Sequence, residues 1–254
     1  MKGIISAGVA IVLCGAIGTA LADEAAREVR SVDARVSRVR LDGIIELRLR
    51  QGPIAALVIS GDSRWVGKTV TQQRGDMLVI ATQAKEFRLS NHERAVQAEL
   101  TLPQLREVVS NSLGWADIAG FSGDRLELVL DGAGSMKMVG NYRAISASLG
   151  GLGSMHIQAT LVDGLELNLH GAGYVTLAGH ARWLKADLGG LGGLDAQHFQ
   201  VDSVELDLGG LGNAAVYARQ QAALQLNGLG SAAVYGRPPT RNAAVNGLGR
   251  VIWK

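Results

Sequence analysis

Residues 184–197 read LKADLGGLGGLDAQ, and their pattern decides the fold. Around the triplet Gly190-Leu191-Gly192, Ala186 and Leu188 precede and Leu194 and Ala196 follow at alternate positions, with Asp187 and Asp195 between them. Strict alternation on both sides of a glycine corner describes two short strands, each with one face inward. A helix would need apolar residues at spacings of three and four, and these are missing.

Outward from this unit the same triplet recurs. Taking the first residue of each triplet as a marker, the units fall at Ser112, Gly132, Gly151, Gly171, Gly190, Gly210, Gly228 and Gly247, at intervals of 20, 19, 20, 19, 20, 18 and 19. Such regularity marks a solenoid, in which each unit buries its apolar face only by stacking on its neighbours. The flanking columns support it: Leu167 and Leu169, Leu206 and Leu208, and Leu224 and Leu226 lie before the marker, and Met136 and Met138, Val175 and Leu177, and Ala214 and Val216 lie after it. The expected fold is therefore all-β, a parallel β-helix or β-solenoid of about eight coils over residues 105–254. With strands ~4.8 Å apart, the rod would be roughly 35 Å long.

The residue before each marker is Asn111, Asp131, Gly150, His170, Gly189, Gly209, Asn227 or Asn246, a set rich in residues tolerant of positive φ. The corner thus reads as a left-handed or bulged turn. On that reading its middle residue (Leu152, Ala172, Leu191, Leu211, Leu229, Leu248) folds back into the core.

Residues 23–104 read as a β-rich N-terminal part. Short alternating runs such as Ile45 to Arg50 and Met77 to Ile80 are separated by turn signals at Asp42-Gly43 and Arg74-Gly75-Asp76, while Lys85 to Glu99 admits a helical or loop reading. Residues 1–22 have the parts of a cleavable secretory signal: Lys2, an apolar run from Gly3 to Ile17, and an ending at Ala20-Leu21-Ala22. Cleavage after Ala22 would leave no membrane span and would remove Cys14, the only cysteine, so disulfides and thiolate metal sites are not expected. Leu13 stands where a lipoprotein signal would want a small residue.

The composition narrows function by exclusion. Lys plus Arg number 25 against 23 Asp plus Glu, which gives no electrostatic footprint for nucleic acid. No Gly-Lys-Ser/Thr follows any glycine corner, so a phosphate loop is not expected, and no cofactor is implied. Gly189 to Asp195 is a single partial match to calcium-binding repeats, which place an Asp in every turn. His180 and His198 fall in adjacent, different columns near the outer turn.

Two surface rows are candidates for binding. Three residues before the marker, Asn168, Asp187 and Asp207 face outward on successive coils, and stacking in register makes Asp187 and Asp207 neighbours. Two carboxylates that close could share a proton and act as general acid and base in sugar cleavage. The next outward column, with Glu166, Lys185 and Glu205, makes a solvated charge ladder the simpler reading. Tyr217 and Tyr235 share a column seven residues after the marker, and Tyr174 also looks exposed; such rings can stack on sugars or meet a protein.

The combination of VSRVRLDGIIELRLRQGP at 36–53, LVISGD at 57–62, ELTLPQLREVV at 99–109 and the serial Gly-x-Gly units resembles the autotransporter-adhesin head domain called the head GIN domain. The resemblance covers roughly Val32 to Trp253, with Gly-Leu-Gly or Gly-Ala-Gly where many members have Gly-Ser-Gly. It implies an exported bacterial β-helix-like protein with an adhesive role, and it brings no catalytic residues. Together these readings predict a non-enzymatic, periplasmic or extracellular module of the cell envelope that engages polysaccharide or protein through its faces. A carbohydrate-active enzyme using Asp187 and Asp207 is the alternative. The last coil, ending at Lys254, predicts end-to-end self-association with another copy or capping by the N-terminal region.

Overall fold

The computed structural model describes residues 25–82 and 96–254. The leader, its cleavage site, Cys14 and His92 lie outside the described residues, as does the part of Lys85 to Glu99 that precedes Val96.

Six long strands carry the repeats: β9 (Trp115–Leu130), β10 (Ser135–Leu149), β11 (Ser154–Leu169), β12 (Tyr174–Leu188), β13 (Gly193–Leu208) and β14 (Asn213–Gly228). Each pairs in parallel with the next, as Met136 with Met155, Met155 with Val175, Val175 with Leu194 and Leu194 with Ala214. The series finishes with β15 (Ser231–Tyr235), β16 (Thr240–Gly247) and β17 (Arg250–Trp253), which extend the two faces of β14 by one and two further layers. The result is a parallel β-solenoid of about 7 turns, the number of intervals between eight glycine corners.

Through β14 the columns read from the sequence are the core, while in the last coil Ala243 and Val245 of the same columns are exposed. Leu128, Ala147, Leu167, Ala186, Leu206 and Leu224 stack in one buried file, and Met136, Met155, Val175, Leu194, Ala214 and Ala232 in another. Opposite the glycine corners each coil bends at a second place, where the pairing shifts register, as between Val139 and Gly140 and between Thr176 and Ala178. Gly120 (φ 85°) and Gly179 (φ 123°) supply the left-handed backbone there. The bulkiest buried rings, Phe121, Tyr142 and Phe199, fill the wide interior beside this bend.

The N-terminal strands join the same stack, out of chain order. Strands β2 (Arg38–Gly43) and β3 (Ile45–Gln51) form a coil of their own around Gly43-Ile44. It lies between the coil of β8 (Glu107–Ser112) and β9 on one side and β6 (Met77–Thr82) and β7 (Val96–Leu102) on the other. Beyond β7 the pairing turns antiparallel, through β4 (Ala56–Asp62) and then β1 (Ala25–Arg30), and β5 (Thr69–Arg74) closes β6 in the same way. A short helix, α1 (Ser63–Lys68), with Asp62 accepting from the Arg64 backbone N–H at 2.8 Å, connects β4 to β5. Antiparallel strands and a helix therefore finish the N-terminal end of the rod.

The glycine corner differs from its sequence reading in two ways. Among the described residues the only non-glycine with positive φ is Arg237, so Asn111, Asp131, His170, Asn227 and Asn246 are not left-handed. The marker glycines are needed for closeness instead: a methyl group on Gly151, Gly190 or Gly210 would overlap the carbonyl oxygen of Gly132, Gly171 or Gly190 in the preceding coil. Backbone of one corner rests directly on backbone of the last, and the Leu191 N–H donates to the Gly171 carbonyl at 3.1 Å, as Leu211 does to Gly190 at 3.2 Å. Because the backbone polar groups of the corner point along the rod, its middle side chain projects outward at the apex. Leu152 is 71% exposed, Leu191 64%, Leu211 54%, Leu229 57% and Leu248 85%, so these residues are outside the core. Ala172 is exposed as well.

Candidate binding surface

The corner ridge divides two faces. On the face before it, Asn168, Asp187, Asp207 and Gln225 stand opposite one another on four successive strands, as the sequence predicts. Asp187 and Asp207 are both exposed on this open face, and beside them Lys185 pairs with Glu205 at 3.3 Å, both side chains more than half exposed. This is a wet row of mixed charge; it lies outside the depressions described below.

On the face after the ridge, the residue three after each marker forms the row Trp115, Ser135, Ser154, Tyr174 on β9 to β12. Two rings separated by two serines stand roughly 14 Å apart, three strand spacings. The Trp115 ring is half-buried under the guanidinium of Arg48, 5.6 Å from its centroid, while the Tyr174 ring leans over Gly193, where a side chain would collide with it. Parallel to this row runs a polar one, Asp117, Lys137, His156 and Thr176. Arg50 fixes Asp117 through an ion pair of 3.1 Å and a bond of 2.8 Å to its carbonyl.

A shallow depression of about 480 Å³ follows these rows from Arg48 and Trp115 to Tyr174 and Thr176, with Met136 and Met155 beneath. A second, of about 560 Å³, lies on the ridge side of the same aromatic row, between it and Leu113, Ala133, Leu152 and Ala172. The row is thus a low crest with a shallow trough on either side. The sequence marked Tyr174 as exposed but did not connect it to Trp115; the signal was two aromatics in one column three units apart. A third hollow, of about 840 Å³ on the opposite face, is lined by Arg38, Asp76, Arg106, Glu107, Asp124, Arg125 and Glu127. There the Arg38 guanidinium bonds Glu107, which holds its pKa above the ordinary arginine value.

Other sequence candidates are placed as follows. Tyr217 and Tyr235 are in register on β14 and β15, both half-buried, and the Lys254 ammonium donates to the Tyr235 hydroxyl at 2.9 Å. Asp195 is occupied within its own strand, beside the register shift of β13, accepting from the Gln197 N–H and side-chain amide, both at 3.2 Å. His198 pairs with Ala178 and His180 with Gln200, so the two imidazoles stay in different rows. Among the described residues no group of three or more His, Cys, Asp or Glu side chains is arranged to hold a metal ion, and no helix is long and apolar enough to cross a membrane.

Coils stacked in register, with flat exposed faces on either side of a glycine corner, define the chain as a parallel β-solenoid. Residues 36–238 match the family described as "Putative auto-transporter adhesin, head GIN domain", and the chain belongs to that family. Solved structures agree on the fold. A putative adhesin from Parabacteroides merdae superposes with a TM-score of 0.78 at 16% identity, covering 91% of this chain and 96% of that one. A protein from Parabacteroides distasonis called a putative lipid binding protein gives 0.77 at 18% identity, with 90% and 96% covered. A putative adhesin from the same species gives 0.76 at 17%, with 91% and 97% covered. No curated protein matches the chain.

Proposed function

We propose that this protein is a non-catalytic, adhesin-like binding module of the cell envelope whose ligand is a polysaccharide laid across coils β9 to β12. The observation that carries this reading is the row Trp115, Ser135, Ser154, Tyr174 with its polar companion row. A sugar ring offers an apolar face of C–H groups and a rim of hydroxyls. Trp115 and Tyr174 supply flat apolar surfaces for the first, and Asp117, Lys137, His156 and Thr176 supply donors and acceptors for the second. The serines between the rings keep the crest low enough for an extended chain to lie along it.

The reading includes export through cleavage after Ala22, placing the module in the periplasm or outside the cell. It leaves Asn168, Asp187 and Asp207 before the ridge, and Tyr217 and Tyr235 after it, as further surface for a protein partner or another copy meeting the C-terminal coil. A glycan array probed with the chain from Asp23, followed by calorimetry, tests it. Hits should weaken at least tenfold in Trp115→Ala and in Tyr174→Ala, and unchanged affinity in both variants would remove this face from consideration. Any hydrolysis of a bound glycan that disappears in Asp187→Asn/Asp207→Asn would instead establish the enzymatic alternative.

A further inference from the structure

The corner residues form an exposed apolar edge that the glycan-binding reading does not use. Leu113, Ala133, Leu152, Ala172, Leu191, Leu211, Leu229 and Leu248 occupy the same apex on eight successive coils, and Ile44 continues the line into the β2–β3 coil, where Gly43 is opposite Ser112. None is charged or polar. At ~4.8 Å per coil the eight apexes form a straight line of roughly 34 Å. Exposures from 46% at Leu113 to 85% at Leu248 are far beyond what a soluble surface needs, and a continuous apolar strip of this size marks an interaction.

We infer that this edge docks the protein lengthwise on a lipid surface, its leucines entering the acyl boundary. The shape of the edge argues for this occupant. It is one side chain wide and convex, with glycines on both sides of each leucine through most of its length. A rigid protein partner, a second copy included, would touch only that crest. A stable protein interface needs roughly 800 Å² from each partner in a broad, well-packed patch. A fluid lipid layer closes around a narrow keel without needing a matching groove.

Flatness agrees, because side chains at one height along a straight rod reach one plane together. So does charge. Along the eight corners the two bordering rows hold few ions, Asp187 and Asp207 on one side and Arg250 on the other, with Asp131 and His170 at the corner itself; beside Ile44 the same positions carry Arg40, Glu46 and Asp42. That mixture suits zwitterionic headgroups, whose ammonium groups can meet the two aspartates and whose phosphates can meet Arg250. It offers no basic patch for an anionic membrane.

The test uses the chain from Asp23, which contains every described residue and no cysteine, with vesicles of phosphatidylcholine and phosphatidylethanolamine. The wild-type chain should sediment with them, with binding insensitive to salt. Leu152→Ser/Leu191→Ser/Leu211→Ser/Leu229→Ser should lower the partition coefficient at least tenfold while melting at an unchanged temperature and keeping its glycan affinity. Environment-sensitive dye on Leu211→Cys should shift to the blue on adding vesicles, and the same dye on Gln158→Cys should not. Absence of wild-type binding, equal binding by the quadruple variant, or binding abolished by salt would overturn the inference. Loss of a dimer in light scattering without loss of vesicle binding would overturn it too, in favour of a second copy. Trp115→Ala separates this proposal from the glycan reading, since it should weaken glycan binding at least tenfold and leave vesicle binding within threefold.

Discussion

The phenol of Tyr142, buried at the broad end of the coil, donates a 3.0 Å hydrogen bond to the carbonyl of Leu105, so a ring from β10 closes the turn that leads into β8. Burial raises the Tyr142 pKa above its ordinary value. With the folded value above the unfolded one, stability is intact below about pH 10, the unfolded tyrosine pKa, and declines above it as the unfolded chain releases the proton. Tyr142→Phe should cost about 1–2 kcal/mol at neutral pH, by leaving the Leu105 carbonyl unpaired. It should also flatten the alkaline decline. Urea melts of both proteins at pH 7 and above pH 10 compare the two slopes.

Adjacent glycines in one corner should respond oppositely. A methyl group on Gly190 would overlap the Gly171 carbonyl, whereas one on Gly189 would meet only the His170 ring at ordinary contact distance, 3.6 Å and beyond. Gly190→Ala should destabilise by about 3 kcal/mol or more, because backbone rather than a flexible side chain must move. Gly189→Ala should fall within about 0.5 kcal/mol of wild type. If positive φ were the reason for glycine here, the two would behave alike in calorimetry.

Two leucines three residues apart give a second contrast. Leu149 is fully buried and Leu152 is 71% exposed. Leu149→Ala should cost about 2–5 kcal/mol and Leu152→Ala less than about 0.5 kcal/mol. A comparable loss at Leu152 in thermal unfolding would return that residue to the core.

The row containing Asp187 and Asp207 sets like charges side by side on neighbouring strands. Replacing Asp207 with Asn should leave stability unchanged or raise it by a few tenths of a kcal/mol, about the scale of an exposed cross-strand pair, and added salt should erase the difference.

Export makes a plain chemical prediction. Intact mass of the protein recovered from outside the cytoplasm should correspond to a chain beginning at Asp23; retention of Met1 to Ala22 would reject cleavage after Ala22.

The coil columns were legible because burial and exposure alternate residue by residue, and Leu206, Leu208, Leu194 and Ala196 announce their faces without knowledge of their neighbours. The reason for the glycines was not. Glycine required by left-handed backbone and glycine required by a neighbour's carbonyl look identical in sequence, and only Gly190 lying on Gly171 distinguishes them. Leu191 misled for a related reason: apolar residues usually mean core, and nothing local shows that a corner turns its middle side chain outward. The place of β2 and β3 between two later coils depends on pairing across some 70 residues, from Arg38 to Glu107, which no local pattern encodes. Asp187 and Asp207 were legible as neighbours, since register follows from the period, whereas the Trp115 to Tyr174 crest was diluted by the serines in its column.

Contact between corner backbones has one more consequence. Each unit is seated on its predecessor by the carbonyl at the same corner position, so the molecule grows by a fixed step whatever its surface carries. Deleting or duplicating one whole unit of 19 or 20 residues, such as 171–189, would shorten or lengthen the rod while preserving the seating on either side. Length and surface chemistry are then separately adjustable, and a lineage could alter how far such a protein reaches without altering what it holds.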